Sequence, residues 1–288
     1  MNKVALVTGA SSGLGMHVAV MLAKQGYTTY ATMRNTAKQD ALLALAAEQS
    51  VSLQVKTLDV QSSASVNTCV DEIMAESGRL DLLVNNAGAG FIKTTEQASE
   101  EEVEWVLDVN FKGIVRCTKA VLPIMRKQLS GHIINISSVG GLVGQPFNEL
   151  YCAAKFAVEG YTESLATYVQ PNFNINFTTV EPGGIRSEFA NSVLSQLAET
   201  GGLPTDEYLP IFNAYVAAAQ ARSTEDDAGG VYQTSEEVAQ VVIDCAAMEK
   251  PPLRTRTSEW GEQFCHYKTA SDPSGELIVK ATYESSFG

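Results

Sequence analysis

The sequence predicts an α/β protein, a parallel sheet wound with helices on both faces. Three observations predict it. Short apolar runs alternate with helical patterns from Val4 to Glu181. Most of those runs are apolar throughout, not at every second residue, as strands buried on both faces are. The polar and glycine clusters TGASSGLG, NNAGAG, SSVGG and PGG all fall where a run ends. In such sheets the ligand lies beyond the carboxyl ends of the strands.

The elements follow in order. KVALVTG is the first strand, and a helix runs from Met16 to Gln25. YTTYATM is the second strand; a helical stretch leads to a third, VSLQVKTLDV. SVNTCVDEIMAES reads as a helix and LDLLVNNAG as the fourth strand. Residues 100–129 read as helix, GHIINISS as the fifth strand, Tyr151 to Tyr168 as helix and INFTTVEPGG as the sixth strand. This is a Rossmann-type order. It lapses after Gly184, where apolar residues mix with glycines and acids; a segment this long beside the ligand edge predicts a substrate lid at 188–232. In the C-terminal extension, 251–288, PPLRTRTSEWG offers one further strand before a short tail. The whole chain, 1–288, reads as one domain.

Composition narrows the partners. The formal net charge is −13, which argues against nucleic acid or an anionic membrane surface. No apolar stretch reaches the ~18 residues of a membrane span. The apolar run at the N-terminus is too short for a secretion signal. Five cysteines without a C-x-x-C pair then read as reduced thiols of a cytoplasmic protein. The three histidines, His17, His132 and His266, have no metal-ligand spacing, so no metal is expected.

TGASSGLG places Gly9, Gly13 and Gly15 directly after a strand and at the opening of a helix. Glycines let the chain turn tightly and let a phosphate approach the backbone, where the helix N-terminus offers N–H groups and partial positive charge. Gly9, Ser11, Ser12, Gly13, Leu14 and Gly15 are therefore the expected nucleotide turn. The same residues satisfy G-x-S-x-G, with Ser11 as a hydrolase nucleophile. That reading fails on order: the serine follows the first strand, and the only late histidine is His266, near the tail. At the end of the second strand, ATMRN holds Met33 where an acid would bind the ribose of NAD. Arg34 follows and can pair with a 2′-phosphate, which favours NADP(H) and leaves NAD(H) as the second choice. Asp59 and Val60 are expected near the adenine, with Asn85, Ala87 and Gly88 along the adenosine side.

ELYCAAKFAVEG sets Tyr151 and Lys155 one helical turn apart. An ammonium beside a phenol favours the phenolate. Bringing the phenol from ~10 to near neutrality takes ~4 kcal/mol. An ammonium at ~4 Å supplies about 1 kcal/mol in water and ~4 kcal/mol at an effective dielectric near 20, so the pair needs a site from which water is partly excluded. A closing lid meets that need.

TGASSGLG, LDV, NNAG, VNFKG, INISS, YCAAK and PGGIRS, in this order, make the chain resemble the short-chain dehydrogenase/reductase family, closely over residues 3–190. The VEPGG turn and the chain length resemble its hydroxysteroid- and retinol-dehydrogenase-like members. The resemblance implies Tyr151 as general acid/base and Lys155 as its partner at the nicotinamide ribose. It implies Ser138 at the substrate oxygen, with Ser137 as the alternative, and Asn110 holding a water in the proton path. It further implies Pro182, Gly183, Ile185 and Ser187 around the nicotinamide, and pairing through helices at about 103–129 and 151–170 into a homodimer or homotetramer.

The reaction so predicted interconverts a carbonyl and an alcohol by hydride transfer. Phe91, Val139, Leu142, Phe147, Leu150 and Phe189 make the expected substrate wall, and their apolar character predicts a hydrophobic ketone or secondary alcohol. The rivals are a nucleotide-sensing module of the same fold without turnover, an NAD-dependent alcohol dehydrogenase, and a dehydratase or epimerase on this fold.

Overall fold

A computed structural model describes residues 2–186, 205–224 and 232–287. The first half alternates without exception: β1 (Val4–Val7), α1 (Gly13–Lys24), β2 (Thr28–Met33), α2 (Asp40–Glu48), β3 (Gln54–Thr57), α3 (Ser63–Ser77) and β4 (Leu82–Asn85). Next come α4 (Glu100–Leu107), a π turn (Asp108–Lys112), α5 (Gly113–Gln128), β5 (Gly131–Ile136), α6 (Glu149–Phe173) and β6 (Ile175–Glu181). The remainder holds β7 (Gly184–Arg186), α7 (Leu209–Thr224), β8 (Tyr232–Thr234), α8 (Ser235–Ala247), β9 (Arg254–Arg256), α9 (Glu259–Thr269) and α10 (Glu276–Phe287).

Seven strands form one parallel sheet in the order β3-β2-β1-β4-β5-β6-β9, and β7 pairs with β8 apart from it. The strand order reverses between β1 and β4, and that is where a doubly wound sheet opens its ligand crevice. The uniformly apolar strands are explained by two cores. Ala5, Val7 and Val84 face α1, α2 and α8, while Val4, Leu6 and Leu83 face α3, α5 and α6. The expected last strand is β9, docked on β6 through Thr179–Arg254 and Glu181–Arg256 register.

Two expectations need refinement. The helix read over residues 100–129 is interrupted by the π turn. The segment read as a lid holds α7, whose Phe212 and Tyr215 rings pack on Phe147. Residues 187–204 and 225–231, with Ser187 and Phe189, lie outside the described residues. Among the described residues no helix is long and apolar enough to cross a membrane, and no His, Cys, Asp and Glu group could hold a metal.

Candidate active site

The carboxyl ends of the central strands open into one cavity of about 1350 Å3. The turn after β1 brings Gly9, Ser11, Ser12, Gly13 and Leu14 to its wall. Gly9 has φ 69°, and a Cβ there would come within 2.8 Å of the Ala87 backbone. Only glycine lets the turns after β1 and β4 lie that close. Ser12 caps α1 without a side-chain hydrogen bond, so the helix N-terminus meets the cavity with no hydroxyl closing it. An anion fits such an end.

The ends of β2 and β3 continue the wall with Met33 and Arg34, then Asp59 and Val60. Lys38, from the short 3-10 turn after Arg34, adds a second cation that the sequence reading did not anticipate. After β4 come Ala87 and Gly88. Pro182, Gly183 and Ile185 close the side beyond β6.

Six expected residues do not reach the cavity wall: Gly15, Asn85, Asn110, Leu142, Phe147 and Leu150. Asn85 is still inside β4, 1% exposed, and donates to Asn135 Oδ1 at 2.8 Å. Its neighbour Asn86 lines the cavity and clamps the first turn by donating to Thr8 and Gly9 carbonyls, both at 3.0 Å. Gly15 sits behind that clamp, where any Cβ would strike the Asn86 amide. Leu142 is buried against Val139 and Cys265 instead. Phe147 supports α7 from below. Asn110 also stands behind the wall, holding Ala89 through both backbone groups at 3.0 and 2.9 Å.

Tyr151 and Lys155 both line the cavity from α6, with Ser138 opposite, just past β5. Ser138 Oγ accepts from the Gly140 N–H at 3.0 Å and lies 3.5 Å from the Pro182 carbonyl, so its rotamer is fixed. The alternative, Ser137, also borders the cavity, but it is 3% exposed and its Oγ is buried, 2.6 Å from where a Cβ on Gly141 would lie. Lys155 Nζ donates to the Ile136 carbonyl at 2.8 Å and stands 5.6 Å from the Tyr151 ring centre.

The electrostatics differ from the expectation. Burial pushes the Tyr151 phenol up to about 12, although the Ser138 hydroxyl pulls the other way. Burial also lowers Lys155 to about 8, with Glu159 opposing. Lysine proximity alone therefore does not bring the phenol toward neutrality, because burial penalises both charges. A protonated phenol beside a fixed hydroxyl can donate to an oxygen placed between them.

Part of the cavity wall is apolar: Phe91 and Val139 line it, joined by Val143, Tyr215, Trp260 and Phe264. Trp260 and Phe264 are stacked at 4.8 Å on α9. Their spacing of four residues marks one helix face, but nothing in the sequence ties that helix to a site a hundred residues earlier.

This fold and constellation define a dinucleotide-dependent oxidoreductase of the alcohol/carbonyl class. The chain belongs to the short-chain dehydrogenase/reductase family: its short chain dehydrogenase model matches residues 3–198. Retinol dehydrogenase 8 of Bos taurus is 40% identical over 98% of this chain and 89% of its own. Human 17-beta-hydroxysteroid dehydrogenase type 1 is 38% identical over 100% of this chain and 87% of its own. A variant of actinorhodin polyketide ketoreductase, solved with NADPH, superposes with TM-score 0.71 at 29% identity, covering 89% of this chain and 96% of that one.

Proposed function

We propose that the protein is an NADP(H)-dependent oxidoreductase that interconverts a hydrophobic ketone and its secondary alcohol. The observation that carries the cofactor preference is the end of β2: Arg34 and Lys38 line the cavity, and Met33 stands where an acid would select NAD. A 2′-phosphate would sit between those two cations. The pyrophosphate would rest on the N-terminus of α1. The nicotinamide, when bound, supplies or takes the hydride.

The chain's own residues then do the rest. Ser138 orients the substrate oxygen, and Tyr151 donates the proton to it in reduction or takes it in oxidation. Lys155 provides the positive charge that steadies the phenolate left behind. Asn110 holds the Ala89 turn in place beside Lys155. The aromatic wall of Phe91, Tyr215, Trp260 and Phe264 favours a broad apolar substrate body. The names of the relatives, a retinol and a hydroxysteroid dehydrogenase, support the same substrate class.

Titration of reduced-cofactor fluorescence tests the preference. NADPH binds at least ~10-fold more tightly than NADH, and Arg34→Ala combined with Lys38→Ala removes the difference. Equal affinities in the parental protein would refute it.

A further inference from the structure

Tyr151, Lys155 and Glu159 recur every four residues on α6, so the stripe that serves the cavity continues downward into the protein. Glu159 Oε2 accepts from the Thr179 hydroxyl at 2.8 Å. The same hydroxyl lies 3.4 Å from Glu181 Oε1. One hydroxyl has one proton to donate, so it serves only one carboxyl at a time. Glu181 is 0% exposed, ends β6 directly before the Pro182 turn, and pairs with Arg256 Nη1 at 3.1 Å. Ser137 Oγ and Glu159 Oε1 are buried and meet no hydrogen-bond geometry, although the hydroxyl lies close enough to favour the carboxylate. A Cβ on Gly141 would touch both Ser137 Oγ and Glu159 Cγ, and Ser137 borders the cavity, so this cluster adjoins it.

The charged neighbours are few. Arg254, engaged by Glu163 at 3.0 Å, also lowers Glu159 by its charge, and Arg256 meets Glu262 at 2.9 Å as well as Glu181. The Cys265 thiol of α9 is held neutral by burial. Lys155 Nζ itself donates to the Ile136 carbonyl, with the Tyr151 ring 5.6 Å away, and Glu159 stands one helical turn along α6, its charge raising the lysine that burial lowers. Two buried carboxyls this close do not both ionise freely. Burial raises both, and Glu181 further, because the Glu159 charge adds to it.

We propose that Glu159 and Glu181 share one proton beside the cavity, and that their remaining charge holds Lys155 as an ammonium. Both are then positioning residues for the reaction proposed above, acting through Lys155. The pair titrates as a unit with the lysine, not as two independent acids. This inference rests on the reading of Lys155 as a functional cation only for its consequence, not for its existence.

Two measurements on the intact protein test it. Infrared spectra at pH 7 contain the carbonyl stretch of a neutral carboxyl group, and Glu159→Gln abolishes it. NMR of 13C-labelled lysine follows Lys155 directly: its midpoint falls by about one pH unit in Glu159→Gln, and Glu159→Asp restores at least half of the shift. No neutral-carboxyl band in the parental protein overturns the proposal without any variant. An unmoved Lys155 midpoint overturns it as well. If the midpoint moves but the pH profile of carbonyl reduction does not follow, the pair stands and the role given to Lys155 falls.

Discussion

At the scale of single residues, the phenol proposed as the acid is kept protonated by its surroundings. A phenol pushed up to about 12 is fully protonated at neutral pH, and a lysine lowered to about 8 is still mostly charged there. That combination suits reduction. Below about 8 both groups are in the required state; as pH rises through it, Lys155 loses its proton and the support for the phenolate goes with it. Reduction is therefore flat on the acidic side and declines on the alkaline side. Tyr151→Phe keeps the ring and its burial but removes the proton donor, so kcat falls roughly 1000-fold while cofactor affinity and melting temperature hold. Steady-state kinetics beside a thermal melt separate these; a variant with near-parental turnover would exclude Tyr151 as the acid.

At the scale of elements, the π turn is the feature that departs most from a regular fold. Asn110 sits in it and spends its amide on Val106 and Ala89 carbonyls at 3.0 and 2.9 Å. Its oxygen takes the Ala89 N–H. Asp108, at the start of the turn, binds Arg116, which also reaches the Val60 carbonyl at 3.0 Å. One widened turn thus ties two loops of the cavity to the helix. Asn110→Leu leaves these backbone groups unpaired, and urea unfolding should give a loss of about 3 kcal/mol. A loss under ~0.5 kcal/mol would mean that water replaces the amide at little cost.

This is also where sequence reading ran out. Apolar runs marked the inner strands and their parallel arrangement, because burial on both faces leaves a clear compositional trace; the edge strand Arg254–Arg256, polar and only partly buried, carries no such trace. It cannot register one added residue in a helical turn, since the apolar stripe resumes beyond it. The same limit separates Asn85 from Asn86. Motif position alone does not say which residue ends the strand and which begins the turn. Trp260 and Phe264 were hidden for another reason: their contact depends on tertiary return of the chain, not on local pattern.

At the scale of the whole molecule, the C-terminal extension is part of the site's construction. β9 covers the edge of β6 and delivers Arg256 to Glu181. α9 supplies Trp260 and Phe264 to the cavity, and buries Cys265 against Val139 and Leu142. α10 lies along α6, one of the two helices expected to pair copies of the chain, and tucks Val279 against the core. These layers differ in what their loss would expose. Ending the chain after Gly275 removes only α10, whose residues include no buried one, so the sheet and the Glu181–Arg256 pair persist. Ending it after Lys250 strips β6 of its neighbour and leaves the Glu181 carboxyl without its guanidinium, a loss of about 3–5 kcal/mol before any apolar surface is counted. That is comparable to the entire stability of many domains. The shorter truncation should melt cooperatively within several degrees of the parent. The longer one should show no cooperative transition and should bind no reduced cofactor. Calorimetry of the two proteins decides it: a cooperative melt from the chain ending at Lys250 would mean that the first 250 residues fold alone and that the extension merely lies against them.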